Sequence, residues 1–159
     1  MDREPDSLDL AILRELQEDG RLTNVELARR IHLSPAACLE RVKRLQAEGC
    51  IRQYTALLDP AKLKAGMLVF VEVVLDRTTP ANFDAFKEAV LRMPQVMECH
   101  MVAGGFDYLV KARVRDMTAY REFLGEFIST AGAIRETHTY VVMEEVKNVT
   151  AIPLRPARP

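Results

Sequence analysis

The sequence predicts a two-part α+β chain, a helical head followed by a βαββαβ body. Three observations carry this. Apolar residues in the first fifty positions recur at helical spacing, beginning with Leu8, Ile12, Leu13 and Leu16. From residue 67 onward, short runs rich in β-branched and aromatic residues alternate with two longer helical patterns. Between the two regions, Asp59-Pro60 breaks both patterns.

The first helix is expected to start at Asp6 or Ser7, either of which can cap it, and to stop at Gly20. The second starts at Thr23. Thr23-Asn24-Val25-Glu26 has the spacing of a capping box, and Leu22 and Leu27 that of a hydrophobic staple. It ends near Ile31. After His32 and Leu33, Ser34 caps a third helix with Pro35 in its first position, where a missing N–H costs nothing. The third helix runs to Gly49. Helix, three-residue turn and helix make a helix-turn-helix.

Residues 51–58, IRQYTALL, read as a strand leading away from the helices. The body follows: strand 67–75, a helix started by Thr79-Pro80, strand 96–103, a Gly104-Gly105 turn, strand 107–114, a helix capped by Asp116, and strand 137–146. This order is that of a ferredoxin-like unit, with four antiparallel strands and both helices on one face. The apolar residues on the uncovered face predict that the sheets of two subunits stack. The domains are thus 1–50 (helix-turn-helix), 51–60 (hinge strand and linker), 61–147 (ferredoxin-like) and 148–159 (tail). The tail's PLRPARP reads as a disordered end.

Composition narrows the functions. With 48% hydrophobic and 28% charged residues, the 159-residue chain can build cores. A formal net charge of −1 excludes a uniformly basic coat. Cys38, Cys50 and Cys99 form no Cys-x-x-Cys pair and read as reduced thiols. No metal or cofactor is expected. The acidic start MDREPDSLDL is no signal peptide, and no apolar run reaches the ~18 residues of a membrane span, so a cytoplasmic protein is expected.

The near-neutral total hides a division. Residues 1–28 hold three arginines against eight acids, a charge of −5; residues 29–52 hold six basic residues against two acids, +4. At about 100° per residue, Cys38, Leu39, Val42 and Leu45 share one arc of the third helix. Ala37, Glu40, Arg41 and Arg44 face the other way, with Ala36 at the edge. Small residues at the leading end let a backbone approach a major groove, and the capped N-terminus suits phosphate. Ser34, Ala36, Ala37, Glu40, Arg41 and Arg44 are the expected contacts to double-stranded DNA.

The stretches LSPAACLERVKRLQAEGCI, YTALLDP, LVFVEV, ECHMVAGGFDYLVKARV, DMTAYREFLGE and TYVVMEEVK resemble the Lrp/AsnC family of transcriptional regulators, and the resemblance runs from Leu8 to Lys147. It implies a winged helix-turn-helix, a hinge, and a ligand-response domain. It further implies homo-oligomers, dimers assembling to octamers, that respond to a small amino acid such as leucine. Matched by motif, the family's effector residues fall on Met101, Gly104, Asp107, Met117, Tyr140, Val141 and Val142. The residue types suit such a ligand: a Gly-Gly turn exposes N–H donors, Asp107 offers an acceptor, and Met101 and Met117 are adaptable apolar walls. The chain departs from the family where Ala37 replaces a frequent Pro and where Gly105 replaces an acidic residue. Two rival functions are an architectural DNA wrapper without effector and a tetrapyrrole decarboxylase. No triad, carboxylate pair or phosphate loop supports an enzyme.

Overall fold

The computed structural model describes residues 4–154, which form two compact units. One consists of the chain up to Leu57 together with the segment from Lys147 onward; the other is Leu58–Val146. Residues 155–159, most of the Pro/Arg tail, lie outside the described residues.

The first unit holds α1 (Ser7–Glu18), α2 (Asn24–Arg30) and α3 (Pro35–Ala47). Ile12, Leu27, Ala28, Ile31, Cys38 and Leu45 form its core, each at most 8% exposed. The reciprocal capping box is on α1. There the Asp6 carboxylate accepts from the Asp9 N–H at 3.0 Å and the Asp9 carboxylate accepts from the Asp6 N–H at 3.0 Å. On α2 only half of the expected box forms. Thr23 Oγ1 accepts from the Glu26 N–H at 3.2 Å, but the Glu26 carboxylate turns to Arg29 and Arg30, where charge-assisted bonds outcompete a backbone donor. The turn between α2 and α3 places His32 in the left-handed region at φ 57°.

Residues 51–58 are not a strand within this chain. A strand exists through its ladder, and among the described residues this segment pairs with no strand; the Ile51 N–H instead donates to the Leu45 carbonyl at 3.1 Å, at the end of α3. It leaves Tyr54, Leu57 and Leu58 largely exposed.

The second unit holds β1 (Met67–Leu75), α4 (Pro80–Leu91), β2 (Val96–Met101), β3 (Tyr108–Val114), α5 (Met117–Ala131) and β4 (Ile134–Val141). The sheet order is β2-β3-β1-β4, antiparallel throughout. Strand alternation sends Val69, Val71, Val73 and Leu75 of β1, with Tyr108, Val110, Ala112 and Val114 of β3, toward the two helices. Phe86, Ala89, Val90, Tyr120, Phe123 and Phe127 meet them from above. The opposite face mixes Leu68, Phe70, Val74 and Leu109 with Glu72, Lys111 and Arg113. β4 begins three residues before the expected strand and stops five residues before its end. Its ladder ends where β1 begins: Val141 pairs with Val69, and the Val142 N–H donates to the Leu68 carbonyl at 3.0 Å.

Candidate nucleic-acid interface and effector region

Two short contacts set the helix-turn-helix. Ser34 Oγ accepts from the Ala37 N–H at 3.2 Å, capping α3. Asn24 Nδ2 donates to the Pro35 carbonyl at 2.7 Å, tying the start of α2 to the start of α3. The leading turns of α3 then present Ser34, Pro35, Ala36, Ala37 and Glu40 to solvent. Lys43 is also exposed and pairs with Glu40 at 3.2 Å. This surface is made of small and polar side chains at a capped helix start.

Arg41 and Arg44 do not point outward as expected. Arg41 Nη1 reaches Asp9 Oδ1 at 2.7 Å and Asp6 Oδ2 at 2.9 Å, and Arg44 Nη2 reaches Asp9 Oδ2 at 2.5 Å. Asp9 is fully buried. Arg44 Nε lies 3.8 Å from Glu48. The wheel misplaced them because it counted Leu39 as core. Leu39 is 40% exposed, whereas Cys38 and Leu45 are sealed, so the inward axis runs through Cys38 and Leu45. That rotation carries Arg41 and Arg44 to the flank facing α1. The hydrogen bonds from Arg41 hold the Asp6 carboxyl down at about 2.

The positive segment is therefore partly neutralised within its own unit. Arg30 bridges Glu15 at 3.0 Å and Glu26 at 3.2 Å, and Arg29 bonds Glu26 at 2.8 Å. Hydrogen bonds from these two arginines push the Glu26 carboxyl to about 2. Arg29 nevertheless keeps three quarters of its side chain in solvent, and Lys43 more than half. These two remain outward cations, Arg29 on α2 and Lys43 on the second half of α3.

The residues matched to the effector region fall into two groups at opposite corners of the sheet. Met101 closes β2, Gly104 lies in the following bend, and Asp107 precedes β3. Asp107 is a fastener here: its N–H donates to the Val73 carbonyl at 2.9 Å, and its Oδ2 accepts from the Leu75 N–H at 2.8 Å. Met117 opens α5 beyond the far end of β3, and Tyr140, Val141 and Val142 close β4 on the other edge. Three strand spacings, roughly 14 Å, separate the two edges. Met101, Met117, Tyr140 and Val141 are all about half exposed. The Glu72 carboxylate, first by its charge, raises the pKa of the Tyr140 hydroxyl. Among the described residues, no group of His, Cys, Asp and Glu is placed to hold a metal ion.

Residues 5–52 match a family model described as winged helix-turn-helix DNA-binding, and residues 68–152 match the Lrp/AsnC ligand binding domain. The chain belongs to the Lrp/AsnC family. It is 54% identical over 142 residues to the leucine-responsive regulatory proteins of Escherichia coli (strain K12) and Klebsiella pneumoniae, covering 89% of this chain and 87% of each relative. A crystal structure of a Neisseria meningitidis transcriptional regulator in complex with L-Met superposes with a TM-score of 0.88 at 37% identity, covering 93% of this chain and 96% of that one. An AsnC family transcriptional regulator from Agrobacterium tumefaciens gives 0.88 at 35%, covering 96% and 97%. This chain is a DNA-binding transcriptional regulator.

For an Lrp/AsnC chain, three residues that sequence reasoning missed carry the geometry. Asn24 clamps the two helices of the motif, Lys43 supplies an outward charge, and Asp9 seats the recognition helix. Lys43 enters only through the charge of residues 29–52, and Asp9 left the signal of an acid three residues after an N-cap, the spacing of a capping box.

Proposed function

We propose that the exposed leading half of α3 enters the major groove of double-stranded DNA, with Ser34, Ala36, Ala37 and Glu40 at the surface and Arg29 and Lys43 toward phosphate. Arg41 and Arg44 act one step back: paired to Asp6 and Asp9, they fix the angle at which α3 is presented. The observation that carries this reading is the division of α3 itself, small and solvent-exposed at its start, salt-bridged to α1 along one flank.

Ala36→Glu tests it. A carboxylate in the first turn suits the helix dipole, so stability should stay within about 0.5 kcal/mol. The same charge opposes phosphate, so DNA affinity should fall by about tenfold or more. Unchanged affinity would place the interface elsewhere.

The effector is a small amino acid bound where copies of the chain meet. No one copy brings its two matched corners together, so a ligand that touches both must be shared between subunits. Such a site makes assembly and ligand binding one equilibrium, as expected of a dimer that builds to octamers. The Neisseria complex with L-Met and the name of the leucine-responsive relatives support an amino acid with an apolar side chain. As a DNA-binding member of a family of transcriptional regulators, the protein works in the cytoplasm on DNA and not as an enzyme. Among the described residues no helix is long and apolar enough to cross a membrane.

A thermal-shift screen of the twenty amino acids decides this part. A ligand at about 100 times its dissociation constant adds about 2.7 kcal/mol of stability. A flat response to all twenty would favour an architectural wrapper, whose DNA binding follows shape and salt alone. Asp107→Asn refines the assignment. It keeps an acceptor for the Leu75 N–H but removes the charge that would hold an ammonium, so ligand binding should fall with the fold intact.

A further inference from the structure

The end of the chain does not stay with the ligand-binding unit. Lys147 onward belongs to the DNA-binding unit, and its contact there is specific. Gln17, near the end of α1, receives the backbone of Ile152 with both ends of its amide. Nε2 donates to the Ile152 carbonyl at 3.0 Å, and Oε1 accepts from the Ile152 N–H at 2.6 Å. The residues are 135 apart in sequence. A primary amide offers the same donor and acceptor as a peptide group, so this is one rung of a β-ladder supplied by a side chain. Around it, Thr150–Ile152 and Leu154 line a groove of about 450 Å³ with Leu13, Leu16 and Tyr54. Gly20 keeps the groove open. A Cβ there would sit 3.3 Å from the Tyr54 ring.

The position of this segment in the chain gives it a second meaning. It follows β4 after five residues, and the end of β4 carries Tyr140 and Val141 of the effector region. It lands on α1, whose start carries Asp6 and Asp9, the carboxylates that seat Arg41 and Arg44 of α3. The α1 helix is one rigid rod of 12 residues, so its Gln17 end and its Asp9 end move together.

We propose that residues 147–154 are a strap that docks across α1 through the Gln17 amide and conveys the state of β4 to the recognition helix. The relay rests on the amino-acid effector reading above; the docking does not. The strap is built to engage and release. Its hydrogen bonds are neutral ones, Ile152 is mostly exposed, and short tethering keeps the local concentration of the segment high. An effector that prefers one strap state over the other then shifts DNA affinity by that preference.

Two variants test it: Gln17→Met, which keeps the length of the side chain and removes both bonds, and Ile152→Pro, which removes the donated N–H. In the full-length protein, amide exchange at Ile152 should be slowed about tenfold or more relative to Gln17→Met. The ratio of DNA dissociation constants with and without saturating L-leucine or L-methionine should shrink toward one in both variants. DNA affinity without amino acid should stay within about twofold of the parent. An Ile152 amide that exchanges freely in the parent overturns the docking. A ratio unchanged in both variants overturns the relay. If the parent itself answers neither amino acid, the effector reading falls instead, and exchange at Ile152 still decides the docking.

Discussion

Sixteen buried residues form the core of the ligand-binding unit, against six in the DNA-binding unit. In the larger core, aromatic rings pack edge to face and face to face between the helices and the sheet. Phe86 lies 4.3 Å from Tyr108 and 5.9 Å from Phe127, centre to centre, and Phe123 lies 5.6 Å from Phe127. In the smaller one, a fully buried carboxylate stands at the edge and takes two guanidinium groups. A sheet with two helices on one face closes a thick apolar layer by itself. Three short helices cannot, and charge supplements them. The difference has a functional side. Apolar packing fixes position loosely in direction, whereas bidentate and shared charge contacts fix an angle. The unit that must present a helix to a groove is the one held by directional bonds.

Asp9→Ala should produce the largest effect and confine it to one unit. Removing Asp9 leaves Arg41 to Asp6 and Arg44 to Glu48 alone, at a cost of about 3 kcal/mol, and the loss of the α1 capping box adds about 1 kcal/mol. The DNA-binding unit should lose exchange protection and DNA affinity while the sheet core of residues 69–75 stays protected. Phe127→Ala is the mirror experiment, costing about 3–5 kcal/mol in the other unit. If either substitution melts both units together, the two cores are not independent and the contrast fails.

Acid should separate the units next. The folded Asp6 carboxyl titrates at about 2, below its ordinary 3.8, through its bonds with Arg41. A depressed acid contributes stability above its unfolded pKa, and that contribution is lost as pH falls from about 3.8 through about 2. Its side chain is 30% exposed, so solvent screening holds the effect to the order of 1–2 kcal/mol. Denaturant titrations of the DNA-binding unit across this range should show a slope that Asp6→Asn reduces, the remainder following Glu26, whose carboxyl is also held at about 2. An equal slope in the variant would mean that Asp6 does not clamp α3.

What could be read from the sequence divides along the same line. Periodicity and caps located every helix and the four body strands, because those signals are local: Thr23, Ser34, Thr79 and Asp116 each cap the helix they begin. The exposed start of α3 followed from residue size. The inward turn of Arg41 and Arg44 did not, because it depends on Asp6 and Asp9, 32 to 35 residues away. Segmental charge counted those arginines as surface when their partners were the neighbouring acids. The strand at 51–58 failed for a related reason, since a lone segment carries the pattern of a strand without the partner that makes it one. The end of β4 was missed because its length is set by β1.

The smallest prediction compares one backbone shape in both units. His32 turns between α2 and α3 at φ 57°, and Gly132 ends α5 at φ 65°. Both occupy the left-handed region, which costs a residue with a Cβ about 1–2 kcal/mol and glycine almost nothing. Glycine gives back about 0.5–1 kcal/mol in the entropy of the unfolded chain. His32→Gly should therefore stabilise the DNA-binding unit by up to about 1 kcal/mol, since the His32 side chain is exposed and leaves no hole. Gly132→Ala should destabilise the ligand-binding unit by a similar amount, with open space around it and strain as the only cost. Opposite signs in matched denaturant titrations would show that the turn of the DNA-binding motif carries strain that the end of α5 avoids. A destabilising His32→Gly would mean that the imidazole makes a contact within the folded unit worth more than the strain.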